Sequence, residues 1–108
     1  MNTNLKHILL EGRKSINGLE VSDNLGLMNW KEAVEACKKL GTGWRLPTKD
    51  ELYILYKNRE EIGGFANSYY WSSTEDDNSN AWIQTFSSGY QFNNYNDSPN
   101  RVRVVRDF

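Results

Sequence analysis

The chain has 108 residues, 13 Lys and Arg against 14 Asp and Glu, and a formal net charge of −1. That length suits one domain over residues 1–108 and is too short for two separate cores. With no Lys or Arg between Arg59 and Arg101, one cysteine, and no apolar run near the ~18 residues of a membrane span, composition excludes a basic nucleic-acid face, an internal disulfide, a multi-thiolate zinc site and membrane insertion.

In chain order, Leu5, Ile8-Leu9-Leu10, Ile16, Leu19 and Val21 form short apolar pieces, and Asn17-Gly18 between them signals a hairpin. His7, the only histidine, has no Ser or Cys nearby in sequence and reads as a surface residue. The first helix starts at the N-cap Asn29, with Glu32 completing a capping box. Trp30, Ala33, Val34, Cys37 and Leu40 make one apolar stripe, and Gly41 ends the helix. Cys37 lies on that stripe and reads as a small buried hydrophobe.

Gly43-Trp44-Arg45-Leu46-Pro47-Thr48 is a corner. Pro47 blocks a helix and pushes Leu46 into extended backbone, so Trp44 and Leu46 share one face and Arg45 takes the other. Arg45 is then within reach of the carboxylates of the helix it introduces. Thr48 and Glu51 form a second capping box, opening a helix predicted over residues 49–60 and stopped by Gly63-Gly64. Beyond it, Tyr69-Tyr70-Trp71, Ala81 to Phe86, Tyr90 to Asn93 and Val102 to Val105 read as strands, the last bracketed by Arg101, Arg103 and Arg106. Ser72, Ser73 and Thr74 have no local base and are expected to satisfy backbone groups where Trp71 enters the core. The order is strands, two helices, then antiparallel strands: an α+β domain.

Five blocks stand in order over residues 18–108: Asn29-Trp30-x-x-Ala33-x-x-x-Cys37, Gly43-Trp44-Arg45-Leu46-Pro47-Thr48-x-x-Glu51-Leu52, Tyr70-Trp71-Ser72-Ser73-Thr74-Glu75, Ala81-Trp82, and Arg101-Val102-Arg103-x-Val105-Arg106. Together they resemble the C-terminal-domain family named after a bacterial collagen-like adhesin. The resemblance implies a C-type-lectin-like fold with its N- and C-terminal strands close together. It also implies ligand or surface binding rather than a defined reaction. Some members resemble the variable proteins of diversity-generating retroelements in phages and gut bacteria.

Two stretches have the composition of a binding surface. Tyr90, Phe92 and Tyr95 are large and stiff, and Asn93, Asn94, Asn96 and Asp97 supply adaptable donors and acceptors. Asp76, Asp77, Asn78 and Asn80 form the second stretch. The plainer reading of both is turn-forming loop, since Asn, Ser, Gly and Pro dominate turns for backbone reasons. Glu75 and the second stretch hold enough oxygens for Ca²⁺ but match no EF-hand spacing, so no cofactor is expected. The expectation is a non-catalytic recognition module of an adhesin or phage-type protein, with a protein or glycan on a cell surface as partner. The alternative is a structural decoration domain contacting virion neighbours. Met1-Asn2-Thr3-Asn4 lacks a signal core, which places the expected protein in the cytoplasm or a virion.

Overall fold

Strand β1 (Lys14–Ile16) turns directly into β2 (Leu19–Val21), and the turn residues Asn17 (φ 51°) and Gly18 (φ 77°) are both left-handed. That is the two-residue turn whose twist matches a hairpin. The computed structural model describes residues 14–107; the apolar pieces at Leu5 and Ile8-Leu9-Leu10, and His7, lie outside the described residues. After β3 (Gly26–Met28) come α1 (Trp30–Leu40), α2 (Lys49–Lys57) and α3 (Arg59–Ile62). Five strands follow: β4 (Tyr69–Asp77), β5 (Asn80–Thr85), β6 (Gln91–Tyr95), β7 (Asn100–Val102) and β8 (Val105–Asp107).

They form a three-stranded sheet ordered β1-β2-β8 and a five-stranded sheet ordered β3-β7-β4-β5-β6. Strands β2 and β8 pair antiparallel, which brings the two ends of the described chain together. The corner joins the smaller sheet: Arg45 and Val105 exchange backbone hydrogen bonds of 2.9 and 2.8 Å.

Both capping boxes form. Asn29 accepts from the Glu32 N–H at 2.9 Å and Thr48 from the Glu51 N–H at 3.1 Å, while each glutamate accepts from its cap residue's N–H at 2.9 Å. The second helix stops at Lys57 rather than at Glu60, because Asn58 leaves helical geometry (φ −110°, ψ 18°). Its Nδ2 donates to the Ile54 carbonyl at 2.8 Å, the backbone competition that breaks helices at Asn. The chain then re-forms one short turn, α3, before Gly63.

The five-stranded sheet divides the core. One cluster joins Ala33 and Cys37 of α1 to Trp44, Leu46, Trp71, Ala81, Ile83, Val102 and Val104. The other joins Leu52 and Leu55 of α2 to Leu19, Val21, Ile62, Tyr70, Phe86 and Val105. Neighbours Tyr70 and Trp71 enter different clusters because side chains alternate along β4. The predicted strand over residues 102–105 is instead two strands, with Arg103 and Val104 between them. The half-buried pattern expected there is absent because Val102, Arg103, Val104 and Val105 are all buried, with Val102 and Val104 in one cluster and Val105 in the other.

The basic residues brace this frame. Arg45 makes a two-pronged pair with Glu51 (2.6 and 2.8 Å) and reaches Asp107 at 3.1 Å. The bonds to Arg45 hold the Glu51 carboxyl below the usual glutamate range, and those to Glu51 raise the Arg45 pKa. Arg106 bonds buried Glu20 at 2.6 Å and lies over the Trp44 ring. Buried Arg103 donates to the Ser22 carbonyl at 2.7 Å and the Gly63 carbonyl at 2.6 Å. Cys37 is buried, and burial pushes its thiol pKa up. Leu40, expected on the apolar stripe, is 40% exposed because α1 ends there, beyond the packed turns.

Candidate ligand-binding face

Residues 87–100 contain a regular strand rather than one long loop. Strand β6 pairs with β5 in unbroken register from Asn80↔Tyr95 to Gln84↔Gln91. Beyond its ends the Thr85 N–H donates to the Tyr90 carbonyl (2.9 Å) and the Asn96 N–H to the Ser79 carbonyl (2.8 Å). The preceding turn needs Gly89, whose φ is 86° and where a Cβ would meet the Tyr56 ring at 2.6 Å.

This pairing brings the two candidate stretches together, since Asn80 opposes Tyr95 and the turn after β6 docks on the tip of the β4–β5 hairpin. It also divides the candidates between two faces, because side chains alternate along a strand. Tyr90, Phe92 and Asn94 share one face with Ile83, the partner of Phe92, and with Tyr69. There the Phe92 ring lies 6.4 Å from Tyr69 and 6.4 Å from Tyr90. Tyr90 is 67% exposed, and Tyr69 and Phe92 are each 46% exposed. Beside the rings a shallow concavity of about 490 Å³ is lined by Tyr69, Ile83, Phe92, Asn93, Asn94, Ser98 and Asn100. Asn100 donates to the Asn94 side-chain oxygen at 2.7 Å, which orients both amides.

Gln91, Asn93 and Tyr95 take the opposite face. There Gln91 donates to the Lys49 carbonyl at 2.8 Å, and the Lys49 ammonium sits 3.5 Å from the centroid of the half-buried Trp82 ring. Tyr95 is 69% exposed.

The remaining candidates have local roles. Asn96 is half-buried: its carbonyl accepts from the Trp30 N–H at 2.9 Å, so it ties the turn to the start of α1. Asp97 is exposed. At the hairpin tip Asp77 opposes Asn80 across the two-residue turn Asn78-Ser79. The Asp77 carboxylate accepts from the Ser79 N–H at 2.8 Å and the Asn80 side chain at 3.0 Å, and these bonds hold its pKa below the usual range. Asp76 and Asn78 are exposed. Among the described residues no group of three or more His, Cys, Asp or Glu is placed to hold a metal ion.

The hydroxyls after Trp71 serve the backbone. Ser72 donates to the Trp82 carbonyl at 2.7 Å and accepts from the Thr74 N–H, while Thr74 accepts from the Lys49 N–H at 2.9 Å. Sequence reasoning missed Tyr69 as a site residue, reading it only as part of the strand Tyr69-Tyr70-Trp71. Tyr69 and Trp71 share a face, and no local signal reveals that only Trp71 lies under α1.

The model of the Lcl C-terminal domain family matches residues 10–106. The chain belongs to that family. The domain is similar in structure to botrocetin (TM-score 0.70, 14% identity, 89% of this chain and 96% of that one). It is also similar to a chain in a complex of botrocetin with a mutant von Willebrand factor A1 domain (TM-score 0.66, 11% identity, 89% and 96%). EMS16, an antagonist of the collagen receptor integrin α2β1, is a third similar structure (TM-score 0.67, 14% identity, 90% and 98%). These likenesses establish a C-type-lectin-like fold for the domain. No curated protein sequence matches it. Among the described residues no helix is long and apolar enough to cross a membrane.

Proposed function

We propose that the domain is a non-catalytic recognition module whose β4–β5–β6 surface binds a protein or glycan on a cell surface, as part of an adhesin or a phage-type particle. The observation that carries this reading is the exposed ring trio Tyr69, Tyr90 and Phe92, set on paired strands beside Asn94 and Asn100. Exposed aromatic side chains lose little conformational entropy on binding, and amides both donate and accept. The paired backbone beneath holds them in place, so little ordering is left to the binding step. Botrocetin in complex with the von Willebrand factor A1 domain, and EMS16 as an integrin antagonist, support a protein as the partner. A catalytic reading has less support: Cys37 is buried, and Ser72 and Thr74 are engaged by backbone groups.

The test is binding of the domain to arrays of glycans and of cell-surface proteins. Against any ligand so found, Tyr90→Ala with Phe92→Ala should weaken binding by about tenfold or more, because large aromatic anchors dominate such interfaces. The melting temperature should barely move, since both side chains are substantially exposed. Gln91→Ala with Tyr95→Ala, on the opposite face and outside the lining of the concavity, should leave that affinity within about threefold of wild type. Equal losses from both pairs, or loss only from the second, would overturn the assignment to this face.

A further inference from the structure

We infer that β6 is a self-association edge, along which a second copy of this chain adds antiparallel about a two-fold axis through Asn93. Strand β6 is last in the order β3-β7-β4-β5-β6, with β5 on one side only. The ladder bonds flanking it, from Thr85 to Tyr90 and from Asn96 to Ser79, set the parity of the strand. Residues 90, 92, 94 and 96 direct their backbone groups toward β5, so Gln91, Asn93 and Tyr95 direct theirs outward. Of these outward groups, only the Tyr95 carbonyl has a backbone partner among the described residues, the Ser98 N–H at 2.9 Å.

Natural sheets shield such edges with charge, proline, bulges or brevity. Here the ten residues from Ser87 to Asn96 contain no Lys, Arg, Asp, Glu or Pro. The β5–β6 register is unbroken, whereas the β4–β5 register shifts twice. The opposite edge of the same sheet, β3, has only three residues. The uncharged edge is what commits the partner to a second copy, because two identical edges meet with no like-charge repulsion.

The register of such a pair follows from the symmetry. Asn93 faces Asn93 of the second copy, Phe92 faces Asn94, and Gln91 faces Tyr95. The two Phe92 rings, on one face and diagonal across the axis, come within roughly 7–8 Å, a separation that aromatic side chains bridge. Each half-exposed ring thus gains an apolar neighbour. Addition in the plane of the sheet leaves both faces open. It sets two copies of the Tyr69–Tyr90–Phe92 surface side by side, so the pair would engage a repetitive target bivalently. The self-association does not depend on what that surface binds.

Sedimentation velocity of the full chain, from micromolar to millimolar concentration, should show the 12.5 kDa mass doubling. Asn93→Lys puts two ammonium groups face to face at the axis and should weaken association by about tenfold or more. Asn93→Gln should associate like wild type. Amide hydrogen exchange read by NMR on the wild-type chain supplies a test independent of any variant. The Gln91, Asn93 and Tyr95 amides should gain protection as concentration rises, while those of Phe92 and Asn94 stay protected throughout. A wild-type chain that remains monomeric to millimolar concentration overturns the inference, as does an Asn93→Lys chain that pairs like wild type. Concentration-dependent protection confined to another part of the chain overturns it as well.

Discussion

Replacing Arg103 by Met tests whether a buried charge holds the two sheets together. The Arg103 guanidinium is nearly inaccessible, donates to the Ser22 and Gly63 carbonyls, and lies 4.2 Å from the Phe65 ring centroid. Two charge-assisted hydrogen bonds contribute about 1.5–3 kcal/mol each, and the ring contact about 1 kcal/mol. Against this stands the desolvation of the guanidinium, several kcal/mol, which Met would relieve; burial already pulls the Arg103 pKa down. Met, however, leaves the buried Ser22 carbonyl and the partly buried Gly63 carbonyl without this donor, at about 1–3 kcal/mol for a fully buried group and less for the second. The balance predicts a net loss of about 2–4 kcal/mol. For a domain near 100 residues that lowers the melting temperature by about 10–25 °C. Urea denaturation with an unchanged m-value, checked by calorimetry, would measure it. A loss under about 0.5 kcal/mol, the range of ordinary surface substitutions, would show that the carbonyls find other donors and that Arg103 braces nothing.

Glu51 supplies an acid-sensitive term. Its folded pKa is depressed, chiefly by the hydrogen bonds from Arg45, so its stabilisation is present above the unfolded glutamate value of roughly 4.3 and is lost as pH falls through the lower folded value. Glu51→Gln should therefore destabilise the domain at neutral pH and flatten the stability profile below about pH 4.3, as read by thermal melts across an acid series. Gly89→Ala forces a left-handed backbone on a β-carbon and presses it against the Tyr56 ring, for a combined loss of about 2–4 kcal/mol. Adding Tyr56→Leu should recover part of that loss in a double-mutant cycle; strict additivity would show that backbone strain alone is responsible.

Much of the frame was legible because its determinants are local. Asn29 with Glu32, Thr48 with Glu51, and Asn17 with Gly18 each complete a hydrogen-bonded device within four residues. The Arg45–Glu51 pair was anticipated because the corner's proline and the helix start fix the geometry between them. The rest depends on which strand lies beside which. The polar run from Ser72 to Asp77 belongs to β4 because β5 pairs with it, and nothing within the run announces a strand. The break between β7 and β8 follows from their partners, because β7 pairs with β3 and β4 in one sheet and β8 with β2 in the other. The division of Tyr90, Phe92 and Asn94 from Asn93 and Tyr95 turns on register parity, and a slip of one residue would exchange the two sets.

The main-chain ladder of β6 has a consequence for how this domain changes over generations. The strand is held by backbone groups, and Tyr90, Phe92, Asn93 and Tyr95 are exposed and belong to neither core cluster. Most replacements at exposed positions of this kind alter stability by no more than about 0.5 kcal/mol. Four positions can therefore exchange their chemistry while capping boxes, corner and cores stay as they are. Selection can rewrite what the domain recognises without renegotiating how it folds.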